Sequence, residues 1–265
     1  MAAVIRSSGF RIFRAVMLLL FAGFFAFPLV AMVNFSTKIP ATGERTWADW
    51  KLLVTDEALR ESIVTSLELA VLTAILMIVL LLPTMIWVRL RVPGAARLIE
   101  FLCLLPLAIP ALVIVVGIKN VMAWVSYYAG DTPLALALPY VVLVLPFSYR
   151  SIDAALGSID VKTLSEAARS LGAGWPTVFV RIVLPNAVSG VLSAATITVA
   201  LVLGEYTFSS LLNYLTMPVQ IAAIYKYEAR AAVAAAFLSI VLVALLLLLL
   251  SYVSRDRRTK EGSAA

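Results

Sequence analysis

Glu205 stands between Gly204 and Tyr206 in an otherwise apolar stretch, and it is the one carboxylate well inside such a stretch; Glu68 and Glu100 lie nearer the ends of theirs. A charge at that depth is costly in hydrocarbon and normally faces a partner or a water-filled path. Two readings stay open. Glu205 pairs with a neighbouring helix or a basic group, or it lines the outer half of a path and offers negative charge to a cationic or amine-bearing solute. Gly204, Glu205 and Tyr206 are therefore the candidate path residues. Other reactive groups are scarce. The chain has no histidine and a single cysteine, Cys103, which rules out a Ser-His-Asp or Cys-His arrangement, an internal disulfide and a zinc-ligand cluster. No GxxxxGK[ST] segment occurs, and Gly172 and Gly174 lack the following Lys and the strand context of a phosphate loop. The sequence thus offers no candidate catalytic residue, no metal ligands and no cofactor site. The chain is expected not to be an enzyme and not to bind ATP itself.

A second pattern is conformational. Thr163 and Glu166 have the spacing of a capping box, which predicts a helix starting at Thr163. Leu164, Ala167, Ala168 and Leu171 then fall at i, i+3, i+4 and i+7, a narrow apolar stripe on barely two turns. Gly172 should stop this helix, Gly174 adds a second flexible point, and Pro176 suits the first turn of a new helix. Pro185 should end that second helix after Val178, Phe179, Ile182 and Val183. Two helices so short are not stable alone, and Ala167 and Ala168 permit close approach by another surface.

The same residues carry a longer fixed spacing: Glu166-Ala167-Ala168, three residues, Gly172, nine residues, Ile182, one residue, Leu184-Pro185. It resembles the EAA signature of ABC-importer permeases. The resemblance implies that Glu166, Ala167, Ala168, Leu171, Gly172, Ile182, Leu184 and Pro185 belong to a coupling loop, residues 161–186, that docks in a groove of a cytoplasmic ATPase. It implies further partners: an ATPase dimer that hydrolyses ATP, a second permease subunit, related or identical, and an extracytoplasmic solute-binding protein. The late position of the loop and the segment LVLGEYTFSSLL (201–212) look most like permeases for polyamines, thiamine, ferric iron and phosphonates. Within that group Glu205 favours a polyamine or another small organic cation.

These residues must be positioned by membrane-spanning helices. With 63% hydrophobic and 14% charged residues and a mean hydropathy of +1.02, the chain lies far from the range of soluble domains. The expected fold is an all-α integral membrane protein, one domain over 1–265, resembling the permease of a methionine importer. About six spans are expected near 13–35, 63–88, 98–118, 134–152, 188–211 and 233–252, with the coupling loop between the fourth and fifth. The first run, 15–33, is longer than a signal-peptide core and reads as a retained span. Pro83, Pro106, Pro110, Pro139 and Pro146 break the middle spans, where irregular backbone needs cover by protein or water.

The net charge of +6 reflects topology more than nucleic acid, because the basic residues are scattered between spans. Lys38, Arg45, Lys51, Arg60, Lys119, Lys226 and Arg230 fall in segments expected outside. The other fourteen of the 21 Lys and Arg, among them Arg6, Arg11, Arg14, Arg89, Arg91, Arg97, Arg255, Arg257, Arg258 and Lys260, fall in segments expected in the cytoplasm. That bias places both termini and the coupling loop in the cytoplasm of a bacterium, with the spans in its inner membrane. A secondary transporter or channel is the rival class, but it would need no docking helix and would carry more intramembrane ionisable residues.

Overall fold

In hydrocarbon an open backbone finds no hydrogen-bond partner, so the apolar runs of this sequence become helices. The computed structural model describes residues 8–262. In chain order the helices are α1 (Ser8–Thr37), α2 (Ala48–Thr55), α3 (Glu57–Arg91), α4 (Ala96–Leu104), α5 (Ala111–Ala129), α6 (Ala137–Gly157), α7 (Val161–Ser170), α8 (Trp175–Thr177), α9 (Leu184–Leu203), α10 (Thr207–Leu211), α11 (Met217–Tyr225) and α12 (Ala229–Gly262). Six helical segments among the described residues are long and apolar enough to cross a membrane. Arg6 lies outside the described residues, as do the side chains of Arg255, Arg257, Arg258 and Lys260.

Two compact units emerge, the first made of the chain up to Glu57 together with Ile221–Val241. The most apolar window of α1 buries none of its residues inside the protein, as expected of a helix that faces lipid. Within this unit Trp50 Nε1 donates to Ser36 Oγ at 3.3 Å and packs edge-on against Phe237. Arg230 Nε pairs with Asp49 Oδ2 at 3.3 Å. These contacts pin α2 to the end of α1 and the start of α12.

The second unit contains Ala58–Gln220 and Leu242–Ala265. Its core is formed by α3, α6 and α9, with Met77, Leu82, Tyr140, Val144, Ile152, Ala187 and Ala194 fully enclosed. The α6–α9 pair is the tightest. A Cβ on Gly190 would meet the Ser151 carbonyl oxygen at 2.8 Å and collide with the Ala155 methyl, so the two backbones touch only because the residue is glycine. Ser148 and Thr198 share a buried hydrogen bond of 3.2 Å across the same seam. Arg89 ties α3 to α6, donating to the Asp153 carboxylate at 2.6 Å and to its carbonyl at 3.0 Å.

Two expected spans are redrawn. The helix expected over 98–118 divides into α4, a 3-10 turn over Leu105–Ala108, and α5. Pro106 and Pro110 supply no N–H, and Ile109, just before Pro110, is driven to extended backbone at φ −106°, ψ 123°. The crossing helix therefore begins at Ala111 and carries Lys119 in its middle rather than in an external link. The helix expected over 188–211 begins at Trp175 and stops at Leu203. Pro83 and Pro146 sit inside α3 and α6 without ending them.

Candidate functional site

Helix α7 starts earlier than the Thr163–Glu166 spacing predicts. Its N-cap is Asp160, whose Oδ1 accepts from the Thr163 N–H at 3.1 Å while Oδ2 accepts from the Thr163 hydroxyl at 2.6 Å. Thr163 is thus the third residue of the helix, and Glu166 is free of any capping duty. The Asp160 carboxyl is held below its ordinary value, chiefly by that hydroxyl and then by the Thr163 N–H. Inside the helix the buried Ser165 hydroxyl donates to the Val161 carbonyl at 2.6 Å. Glu166 lies 4.0 Å from Lys162, an exposed i, i+4 pair of small energetic weight.

The helix ends as its sequence predicts. Gly172 has φ +87°, its N–H donates to the Arg169 carbonyl at 2.9 Å, and the Ala173 N–H reaches back to the Ala168 carbonyl at 3.1 Å. These are the two bonds of a Schellman turn, which needs a left-handed residue at Gly172. Cap and turn together fix a ten-residue helix at both ends. Its apolar stripe does not turn inward: Leu171 is 89% exposed and Leu164 37%, and Ala167 is exposed beside them. Val161 and Ser165 fill the buried face, and Ala168 packs partly against the core.

After Gly174 the chain becomes helical again with Pro176 in the first turn, as the sequence implies. Pro185, however, ends nothing. Residues Val178–Val183 form a π-helical segment that passes directly into α9, with Pro185 in the first turn of that helix. Pro185 has no N–H to give and its ring would crowd the carbonyl of Arg181 in a regular α-helix; the wider i→i+5 turn leaves room. Ile182 and Leu184 are half-buried, Leu184 packing against the core beside Phe179, and Pro185 is exposed. The motif residues therefore divide: Ala168 and Leu184 pack against the core, Ile182 is half-buried, and Glu166, Ala167, Leu171, Gly172 and Pro185 are exposed.

A cluster that the sequence does not announce lies on the other face of α7. The Arg91 and Arg169 guanidiniums stand 4.8 Å and 4.5 Å from the centre of the Trp175 ring, and Arg91 is also 5.7 Å from Trp87. Only the fold brings residues 91, 169 and 175 together, from the end of α3, the end of α7 and the start of α8.

At the far end of α9 the structure corrects the position of Glu205. It does not sit within a helix but in the break between α9 and α10. Its Oε1 accepts from the Thr207 N–H at 2.8 Å and its Oε2 from the Phe208 N–H at 3.0 Å. Tyr140 donates to Oε2 at 2.9 Å, and the Tyr140 and Ser209 oxygens are 2.5 Å apart. Glu205 is half-buried, Gly204 and Tyr206 are exposed, and Gly204 has an ordinary φ of −93°. The bond from Tyr140 joins this carboxylate to α6.

Residues 94–261 match the family of the binding-protein-dependent transport system inner membrane component. The chain is 27% identical over 169 residues to the spermidine/putrescine transport system permease protein PotB of Escherichia coli strain K12, covering 58% of this chain and 61% of that protein. It is 31% identical over 131 residues to the molybdenum transport system permease protein ModB of the same strain, covering 45% of this chain and 56% of ModB. The chain thus spans less than two thirds of the length of either relative. Its fold is that of a chain in the inward-facing MetNI methionine ABC transporter, with a TM-score of 0.61 and 22% identity over 77% of this chain and 98% of the other.

Proposed function

The chain belongs to the family of inner membrane components of binding-protein-dependent transport systems, and we propose that it is the permease subunit of an ABC importer, with six membrane spans and its termini in the cytoplasm. In this reading residues 161–186 couple the solute path to a cytoplasmic ATPase dimer, and an extracytoplasmic binding protein delivers the solute. A second permease subunit, related or identical, completes the path. The observation that carries the reading is the outward stripe of Leu164, Ala167 and Leu171 on a helix fixed at both ends. A rigid apolar face of that size suits a partner's groove. Motion imposed on α7 passes to the π segment and α9, which run on without a break.

The proposed solute is a polyamine or another small organic cation, supported by the resemblance to PotB. A second reading is an oxyanion. Lys119 stands exposed in the middle of α5, and an intramembrane lysine needs a path or a partner; the resemblance to ModB points the same way. Uptake into proteoliposomes with the purified transporter, competed by spermidine or by molybdate, separates the two readings.

Coupling is tested by Ala167→Arg, which puts a charge on the outward stripe and should lower solute uptake while the assembled complex still hydrolyses ATP; normal uptake would leave the loop a cap of its own bundle. Co-purification under mild detergent should yield an ATPase and a binding-protein-dependent complex; a lone oligomer active without ATP would make the chain a secondary transporter. Reporter fusions after Arg97, Pro185 and Lys260 should report cytoplasm, and those near Trp47 and Tyr128 the outside. An exported Pro185 fusion would sink the coupling role.

A further inference from the structure

We infer that the hollow between the end of α3 and the inner face of α7 binds the phosphate headgroup of an anionic phospholipid. The hollow has a volume of about 300 Å³ and is lined by Arg91, Lys162, Glu166, Arg169 and Trp175 among others. Three cations meet one carboxylate there, and that carboxylate already lies beside Lys162. Among the described residues, no carboxylate comes within ion-pair distance of either guanidinium. Both are instead held against the Trp175 ring. A cation held over a ring face is kept in place without using up its N–H donors, a combination suited to phosphate oxygens.

The location selects lipid over a soluble anion. Arg91 is the last residue of one crossing segment and Trp175 the first of another, and Trp87 lies beside Arg91 and is 57% exposed. Tryptophan and arginine at the ends of spans mark headgroup depth, and basic pockets between spans take anionic headgroups there. Helical phase separates this site from the docking stripe. Lys162, Ser165, Glu166 and Arg169 follow i, i+3, i+4, i+7, and each stripe residue is two positions, about 200°, away around α7. A protein seated on Leu164, Ala167 and Leu171 would leave the hollow open. The inference rests on the reading of these segments as membrane spans and is independent of ATPase docking.

The experiment uses the full-length chain in mild detergent, without ATPase or solute. It is presented with phosphatidylglycerol or phosphatidylcholine, and retained lipid is counted by native mass spectrometry. The wild type should retain phosphatidylglycerol in preference, and the double substitution Arg91→Gln with Arg169→Gln should weaken that retention about 30-fold. Arg91→Lys with Arg169→Lys keeps the charge and loses the stacked fork, so it should fall between; it also decides the matter if the glutamine variant fails to fold. Equal retention of both lipids, or unchanged phosphatidylglycerol binding in the double variants, would overturn the inference. Displacement by millimolar inorganic phosphate or glycerol phosphate would make a free anion the ligand, and displacement on adding the ATPase would make the hollow a protein contact; either result overturns the lipid. Because no transport is measured, failure here leaves the coupling role standing.

Discussion

The two ends of one continuous helical run, Trp175 to Leu203, are finished in opposite ways. At the end near Leu203 the polar groups around Glu205 converge: its carboxylate takes two backbone N–H groups and a tyrosine hydroxyl, and the tyrosine is shared with Ser209. At the end near Trp175 the neighbouring surface is left unfinished, with leucines turned outward and guanidiniums stacked on a ring without a counter-ion. Saturated groups stabilise their own fold. Unsaturated groups cost little to alter in the isolated chain and much in an assembly, so stability and function should respond to substitutions at different ends.

The largest stability effect should come from Glu205→Leu. It leaves Thr207 N–H and Phe208 N–H without their acceptor and the Tyr140 hydroxyl with Ser209 alone, at roughly 2–4 kcal/mol in total; thermal unfolding of the purified chain measures it. A loss under about 1 kcal/mol would mean that water replaces the carboxylate and that the two ends differ less than they look. Gly172→Val comes next, because a β-branched residue at φ +87° costs about 1–2 kcal/mol, and it should also uncouple uptake from ATP hydrolysis. Unaltered uptake would reduce the turn to a local stop.

Asp160→Ala should remove the cap, visible as faster amide exchange confined to α7. The sign of its pH dependence follows from the hydrogen bonds of the cap. They lower the folded pKa below the ordinary 3.8, so the contribution is complete above that value and disappears as pH falls through the lower folded one. Thr163→Val removes the main cause and should move the carboxyl titration, followed by NMR, back toward 3.8. The smallest stability effect belongs to Leu171→Ser, within about 0.5 kcal/mol of wild type, yet it should abolish co-purification of the ATPase. A stability loss matching that of Glu205→Leu would show that Leu171 is packed and erase the contrast.

Sequence reasoning succeeds where one residue suffices to dictate geometry. Gly172 and Pro176 can be placed because a left-handed turn and a first helical turn select those residue types by themselves. It misplaces the start of α7 because Asp160-x-x-Thr163 and Thr163-x-x-Glu166 are both sound capping spacings, and burial of Val161 and Ser165 chooses between them. Glu205 looks intramembrane because Leu201, Val202 and Leu203 precede it; nothing local tells that the helix ends at Leu203 so that the carboxylate can take the N–H groups of α10. Lys119 reads as external because Pro106 and Pro110 suggest kinks within a span, whereas they displace the whole crossing helix toward the C-terminus. The Arg91–Trp175–Arg169 cluster is not legible, since Arg169 and Trp175 meet across the Gly172 turn but Arg91 reaches them only from the distant end of α3.

The π segment ahead of Pro185 also sets a phase. A π turn holds one residue more than its α counterpart, and at 3.6 residues per turn one residue corresponds to about 100° of rotation and 1.5 Å of advance. If Val178–Val183 tightened to α geometry, everything downstream, including Gly190 in its contact with Ser151 and Ala155, would have to swivel against α6. Gly190 tolerates one facing only, so the π segment fixes the rotational setting at which α9 meets α6.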